Sequence, residues 1–429
     1  MVKRILTVAT GAALGSLVAM GGARLALGWS LWPNRELDRS GNYVRQVLQL
    51  VNENYVDAKS AEYPALTHAA LHGMVESLDP HSEFLEAADY QQLEEDMSSE
   101  FGGIGVQLEV RNDRVVVIAP IADTPSERAG IRRGDELVKI NGERVEKSSS
   151  MDAIVGKLRG KPKTPVTVGF LRPSTGKEFE VTLVRETIKV ESVRPPEMLS
   201  DHVGYIQITQ FTERTGEEFI KALNKLGEQG LDSLVLDLRN NPGGVLDAAV
   251  DVAEPFFDKG ELIVYTQGRN PKDRDEYRAE ADEPALKLPM VVLINSGSAS
   301  AAEIVAGALK DTGKAVIVGE RSFGKGSVQS VFKLNNGEGM RLTTARYYTP
   351  SGRTLHEKGV EPNVEVIMSP EEDQNIRLQR TRRDVVDPTE FKDRFGVAPV
   401  ADRQLQAALD VLKAERLLSE REPAPQKKG

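Results

Sequence analysis

The 429-residue chain has no cysteine, which removes disulfides, thiolate catalysis and cysteine-based metal sites. It has five histidines, His68, His72, His81, His202 and His356, scattered and without an H-E-x-x-H. His68 and His72 have the i, i+4 spacing of a helical zinc pair, but no third ligand accompanies them. A solvated helix face is the simpler reading, and no metal is expected. Positive charge is also short: the formal net charge is −10, and no Lys/Arg cluster is long enough to form a basic stripe. Nucleic acid is therefore excluded as a partner.

What is present is an ordinary globular composition, 40% apolar and 28% charged, in a chain long enough for two or three domains. At the N-terminus Lys3 and Arg4 precede a Gly/Ala-rich apolar run from Ile5 to about Ala23. The run is short for a spanning helix, so residues 1–30 read as a signal peptide or membrane anchor, and export is expected. Residues 38–98 have helical periodicity, with Val44, Val47, Leu48 and Val51 on one face, and read as a helical cap. Residues 99–188 switch to short β-branched runs (GVQLEV, RVVVIAP, ELVKING, VTVGFL, EVTLV) broken by TPSERAG and SSMDAIVGKLRG, the proportions of a small peptide-binding barrel. From 189 to 368 strands alternate with helices, which predicts α/β architecture with largely parallel strands and loops gathered at one end. Beyond Ile367 the chain is charged, and only DRQLQAALDVLKAERLLSE regains order, as an amphipathic helix with Leu405, Ala408, Leu409 and Leu412 on one stripe. That stripe needs a partner, and a second subunit is the favoured one; EPAPQKKG reads as disordered.

Three loops carry candidate chemistry. In LVLDLRNNPGGVLD a strand runs into two glycines whose N–H groups can meet a developing negative charge, although a plain strand-to-helix turn fits as well. In VVLINSGSASAAEIVAGALKD, Ser300 stands three residues before Glu303 at the head of an apolar helix. That is a capping box, yet the same place offers a hydroxyl nucleophile an adjacent N–H and the positive end of a helix. Ser296, Ser298 and Ser300 all remain candidates from the residues alone. The third loop, GERSFGKGSVQ, lacks the hydroxyl of a phosphate-binding loop, since Gly326 occupies its place, and it leads into the strand pattern SVQSVFKL instead of a helix. Nucleotide binding is rejected, which leaves Lys325 as a candidate base. To act near neutral pH a lysine must be uncharged there, and moving an amine from about 10.4 to about 7 or 8 takes roughly 3 to 5 kcal/mol of desolvation.

These loops, with SLDPHSEFL, EFGGIGVQL, SERAGIRRGDELVKING and RYYTPSGRTLHEKGVEPNVEV in the same order, closely resemble the carboxyl-terminal processing peptidases, the tail-specific Ser/Lys proteases, over about residues 40–368. The resemblance implies a ClpP/crotonase-like α/β protease core with an inserted β-rich PDZ domain and a helical N-terminal cap. It makes Ser300 the nucleophile, Lys325 the general base and Gln329 the residue that orients the amine. The oxyanion hole would be the N–H of Ala301 with one from the Gly243-Gly244 turn, Gly243 being favoured. Ala302 departs from the serine usual in the family at that position, outside the dyad. The PDZ-like module would bind disordered C-terminal tails along Gly103, Ile104, Gly105 and Val106, and Arg159 matches a position that couples its occupancy to the protease. The implied protein is a periplasmic, exported serine endopeptidase without metal or organic cofactor, a homo-oligomer through its terminal helices. Protein substrates with unstructured C-termini are its expected partners, with cell-wall hydrolases and an adaptor lipoprotein as candidates by analogy. The alternatives are a PDZ scaffold on an inactive protease-like core and an acyl-transfer or thioesterase enzyme.

Overall fold

In the computed structural model residues 34–419 are described, apart from 112, 147–149, 201 and 383–384. The signal or anchor expected over 1–30 and the EPAPQKKG tail lie outside these residues, and no described helix is long and apolar enough to cross a membrane. The chain divides into two compact units, one ending at Phe84 and one beginning at Leu85.

The first unit contains α1 (Arg35–Asn54) and α2 (Tyr63–Glu76). Asn34 caps α1 by accepting from the N–H of Leu37 at 3.2 Å. His68 and His72 lie against the Phe84 ring, with centroids 5.9 and 5.2 Å away, so the pair with zinc spacing packs an aromatic side chain. The helical cap expected over 38–98 is divided: its last helix, α3 (Ala87–Ser98), belongs to the second unit.

The PDZ-like module follows α3. Strands β1 (Glu100–Gly103), β2 (Val106–Arg111), β3 (Arg114–Pro120), β4 (Glu136–Ile140), β5 (Pro165–Arg172), β6 (Lys177–Val184) and β7 (Glu186–Lys189) alternate with helices α4 (Pro125–Arg128) and α5 (Met151–Leu158). Strands β2 to β6 form one antiparallel sheet in chain order, and β1 pairs with β7. Inward residues such as Val117, Val168 and Phe170 pack with Ile154 and Leu158 of α5 into a separate apolar core. Strand β2 ends the sheet, so its outer edge carries no neighbouring strand of that sheet.

The core domain is built on a parallel sheet of β8 (Val203–Gln207), β9 (Ser233–Asp237), β12 (Met290–Ile294), β13 (Val316–Gly319) and β16 (Val364–Glu365), in that spatial order. Between β9 and β12 in the chain come β10 (Leu262–Gly268) and β11 (Arg274–Arg278), which pair in a second, antiparallel sheet with β14 (Ser327–Lys333) and β15 (Gly339–Tyr348). Both faces of the parallel sheet are covered, which explains its nearly continuous apolar runs. Leu234, Leu236, Val292 and Ile294 point toward α6 (Thr215–Gly227), α7 (Leu246–Ala253) and α8 (Ala301–Asp311), while Val235, Val291 and Leu293 point the other way.

The C-terminal region corrects the sequence reading twice. The charged stretch after Ile367 contains two helices, α9 (Pro370–Thr381) and α10 (Pro388–Phe395), each started by a capping residue, Ser369 or Asp387, followed by proline. The final helix α11 (Arg403–Ser419) lays Leu405, Ala408, Leu409 and Leu412 on the second face of the chain's own parallel sheet. A second subunit is therefore not needed to cover that stripe.

A buried charge cluster fixes this docking. Arg239, at the end of β9, donates to Asp237 at 2.6 and 3.0 Å and to Asp402 at 2.8 and 3.0 Å; Arg380 of α9 also donates to Asp402 at 2.8 Å. Tyr205 adds its hydroxyl to Asp237 at 2.7 Å. Burial alone would raise the Asp237 carboxyl, but Arg239 and Arg380 outweigh it and hold it well below the usual carboxylate range. A carboxyl depressed on folding stabilises above its unfolded value and loses that contribution as pH falls. Wild-type stability is thus expected to be level above pH about 4 and to decline below it, measured by urea unfolding against pH. Arg239→Met strands Asp237 in the interior and should cost about 3 to 5 kcal/mol, lowering the urea midpoint. An unchanged midpoint would contradict the role assigned to this cluster.

Candidate active site

Strand β12 ends at Ile294 in the middle of the parallel sheet, and after a loop of five residues Ser300 stands as the N-cap of α8. The intervening loop uses its polar groups on itself and its neighbours. Ser298 is fully buried, donating to the Leu238 carbonyl at 2.8 Å and accepting from Asn295 N–H at 3.0 Å. Ser296 is exposed. Of the three candidate serines, Ser300 alone lines the central cleft. Its backbone sits at φ 53°, ψ −116°, a conformation that costs an L-residue strain and is kept where the surroundings over-determine it. The first-turn N–H groups of Glu303 and Ile304 point to the Ser300 carbonyl, at 2.8 and 3.0 Å, and the Ser300 and Glu303 side chains face each other's backbone N–H as a capping box. The capping reading is realised, and because a cap uses only a lone pair of Oγ it leaves the hydroxyl proton available.

The Gly243-Gly244 turn lies directly against this serine. A Cβ on Gly243, at φ 94°, would come within 2.7 Å of Ser300 Cβ and 2.8 Å of Ala301 N, so only glycine permits the approach. Asn241 builds the turn: fully buried, it accepts from Gly243 N–H at 2.8 Å, donates to the Ile208 carbonyl at 2.9 Å, and offers its own carbonyl to Ala299 N–H at 2.9 Å. The Gly243 N–H is thus already committed. Those of Gly244 and Ala301 have no acceptor among the described residues.

The lysine loop passes from β13 into β14, strand to strand, as its sequence pattern predicts. Gly326 stands where a phosphate loop has a hydroxyl because a Cβ there would meet His356 N at 2.3 Å. One buried carboxylate ties this loop to the serine. Glu303 Oε1 accepts from Ser322 Oγ (2.5 Å) and Gly324 N–H (2.7 Å), and Oε2 from Ser300 N–H and Lys325 N–H (both 2.9 Å). Burial pushes this carboxyl above its ordinary value, and the four donors work against that rise. Gln329 in β14 donates through Nε2 to Ser327 Oγ (2.9 Å) and Thr343 Oγ1 (3.2 Å), leaving Oε1 as the atom suited to accept from an amine.

Ser300, Ala301, Gly243, Gly244, Lys325 and Gln329 therefore line one cleft of about 440 Å³, together with Tyr347 and, from α3, Leu93, Asp96 and Met97. The sequence pattern marks Glu303 only as a capping residue, through the Ser-x-x-Glu spacing. Nothing in it marks Asn241 beyond its place before the two glycines, or Tyr347 beyond its place on a strand.

The PDZ residues fall at the β1–β2 junction. Ile104 is buried, Gly105 has φ 74°, and the N–H groups of both have no acceptor among the described residues. Arg159 ends α5, lies 4.2 Å above the Phe101 ring and donates to Gln92 Oε1 of α3 at 3.1 Å, with Glu95 at 3.7 Å.

Replacing Glu303 by Gln keeps the shape but turns an amide NH₂ toward two donors. We expect about a tenfold or greater loss of peptidase turnover with a stability loss of about 1 to 3 kcal/mol, measured by peptide cleavage and thermal melting. Full activity would mean that the shared carboxylate does not hold the two loops in register.

Comparison with known proteins matches this architecture. Residues 202–366 match Peptidase family S41 and residues 102–183 match the PDZ domain family. The carboxy-terminal-processing protease of Bartonella bacilliformis is 38% identical over 336 residues, covering 77% of this chain and 75% of that protein. The carboxy-terminal processing protease CtpA of Bacillus subtilis is 36% identical over 73% of this chain and 68% of its own length. Among solved structures, the photosystem II D1 C-terminal processing protease is 30% identical, with a TM-score of 0.44 over 75% of this chain and 92% of that one. The chain belongs to peptidase family S41, among the carboxy-terminal processing serine proteases that carry a PDZ domain.

Proposed function

We propose that this serine protease cleaves proteins from their disordered C-terminal side by a Ser300–Lys325 dyad, with the PDZ domain selecting the tail. The observation that carries the reading is the single cleft in which Ser300, Lys325 and the Gly243-Gly244 turn meet. A neutral Lys325 amine takes the proton of Ser300 Oγ as that oxygen attacks the scissile carbonyl, and Gln329 Oε1 holds the amine in place. The tetrahedral oxyanion is met by Ala301 N–H and by Gly244 N–H, since Gly243 N–H is engaged by Asn241. Collapse expels the amine of the C-terminal fragment, which takes the proton, and water then releases the acyl group from Ser300.

A substrate tail is proposed to add as a strand along the open edge of β2, its carboxylate meeting the Ile104 and Gly105 amides. The route from there to the cleft is Arg159, which grips α3 on Gln92 and Glu95, while Leu93, Asp96 and Met97 of the same helix line the cleft. Export to the periplasm rests on the N-terminal sequence. Assembly through a terminal helix is proposed to use α1, whose Leu37, Val44, Val47 and Leu50 are exposed. An adaptor lipoprotein and cell-wall hydrolase substrates remain analogies.

A digest of a denatured model protein should proceed with wild type and fall about a thousandfold or more with Ser300→Ala or Lys325→Ala. Cleavage surviving either substitution removes the dyad. Arg159→Ala should shift the preference for substrates with a free C-terminal tail over tail-blocked ones by about tenfold while leaving the rate on a short peptide within about threefold. Equal effects on both substrates would detach Arg159 from tail sensing.

A further inference from the structure

Tyr347, the last residue but one of β15, lies at the wall of the catalytic cleft. Its side chain is 1% exposed, and its buried hydroxyl makes no hydrogen bond of good geometry among the described groups, the Ser300 side chain being the group it approaches. Most buried hydroxyls are paired, and leaving one unpaired costs about 1 to 3 kcal/mol. Phenylalanine would fill the same space without that cost. The ring is also held in place: Tyr347 N–H donates to the Gly326 carbonyl, next to Lys325, at 3.1 Å, and Tyr347 lies opposite Thr266 of β10. Burial drives the phenol well above its ordinary value, the Glu303 charge adds to that, and a hydrogen bond with the Ser300 side chain opposes it. A phenol so shifted stays protonated and so can donate.

We propose that the Tyr347 hydroxyl is a third catalytic group of this cleft, a hydrogen-bond donor to Ser300 Oγ and to the negative charge that develops as that oxygen attacks the scissile carbonyl. The proposal rests on the Ser300–Lys325 reading. During attack the Oγ–carbon bond forms, the carbonyl π pair moves to oxygen, and the Ser300 proton passes to Lys325. Tyr347 keeps its proton and strengthens its hydrogen bond. A donor poorly paired at rest and well paired in the transition state lowers the barrier by the difference between the two bonds.

The test is Tyr347→Phe, which removes one oxygen, compared with wild type and Ser300→Ala on an unstructured quenched-fluorescence peptide. We expect kcat to fall about 10- to 100-fold with KM within about twofold, and labelling of Ser300 by a fluorophosphonate to slow in proportion. The melting temperature should stay level or rise, because a poorly paired buried hydroxyl has gone. A kcat within about twofold of wild type, a loss carried by KM, or a loss matched by a fall in melting temperature each overturns the proposal. If Ser300→Ala is inert while Tyr347→Phe is as fast as wild type, the tyrosine role alone falls. If Ser300→Ala retains turnover, the dyad reading falls and the tyrosine role with it.

Discussion

The site depends on one buried carboxylate. The proposed nucleophile and base come from different parts of the chain, Ser300 from the head of a helix and Lys325 from a loop between two strands. Glu303 joins them: each of its oxygens takes two donors, and between them they fasten the backbone N–H of Ser300 and the backbone N–H of Lys325 to the same group. An anion without solvent access cannot release such donors cheaply, so the two loops move together or not at all.

A second ionic cluster does related work on the far side of β9. Asp237 is the last residue of that strand, and the chain reaches the Gly243-Gly244 turn within six residues. Arg239, Arg380 and Asp402 clamp the strand end to the C-terminal helices, while Asn241 fixes the turn to Ile208 and Ala299. The Gly243-Gly244 turn is thus positioned from both sides: by the sheet that delivers it and by helices that come much later in the chain.

Much of this was legible in advance for a simple reason. Period-2 and period-3.6 patterns report which face of an element is buried, and here the domains follow one another in the chain, so the barrel-like module and the alternating α/β core could be read in order. The near-miss phosphate loop was also decidable, because a strand pattern after Lys325 leaves no helix to hold a phosphate. The errors fell where a pattern has two meanings. The stripe of Leu405, Ala408, Leu409 and Leu412 looks the same whether it docks on its own sheet or on another subunit. The charged stretch before it hid two short helices, because their stability comes from caps and tertiary ion pairs more than from an apolar face.

The sequence by itself determined the domain order, the protease-like loops and the residue types of the site, because those depend on local composition and spacing. Only the tertiary structure decided which groups meet. That Ser298 is spent on the Leu238 carbonyl, that Asn241 ties its turn to Ile208 and Ala299, and that the Tyr347 hydroxyl lies beside Ser300 are relations between segments far apart in the chain. Such relations follow from packing and hydrogen-bond satisfaction in the folded interior, which no local pattern encodes.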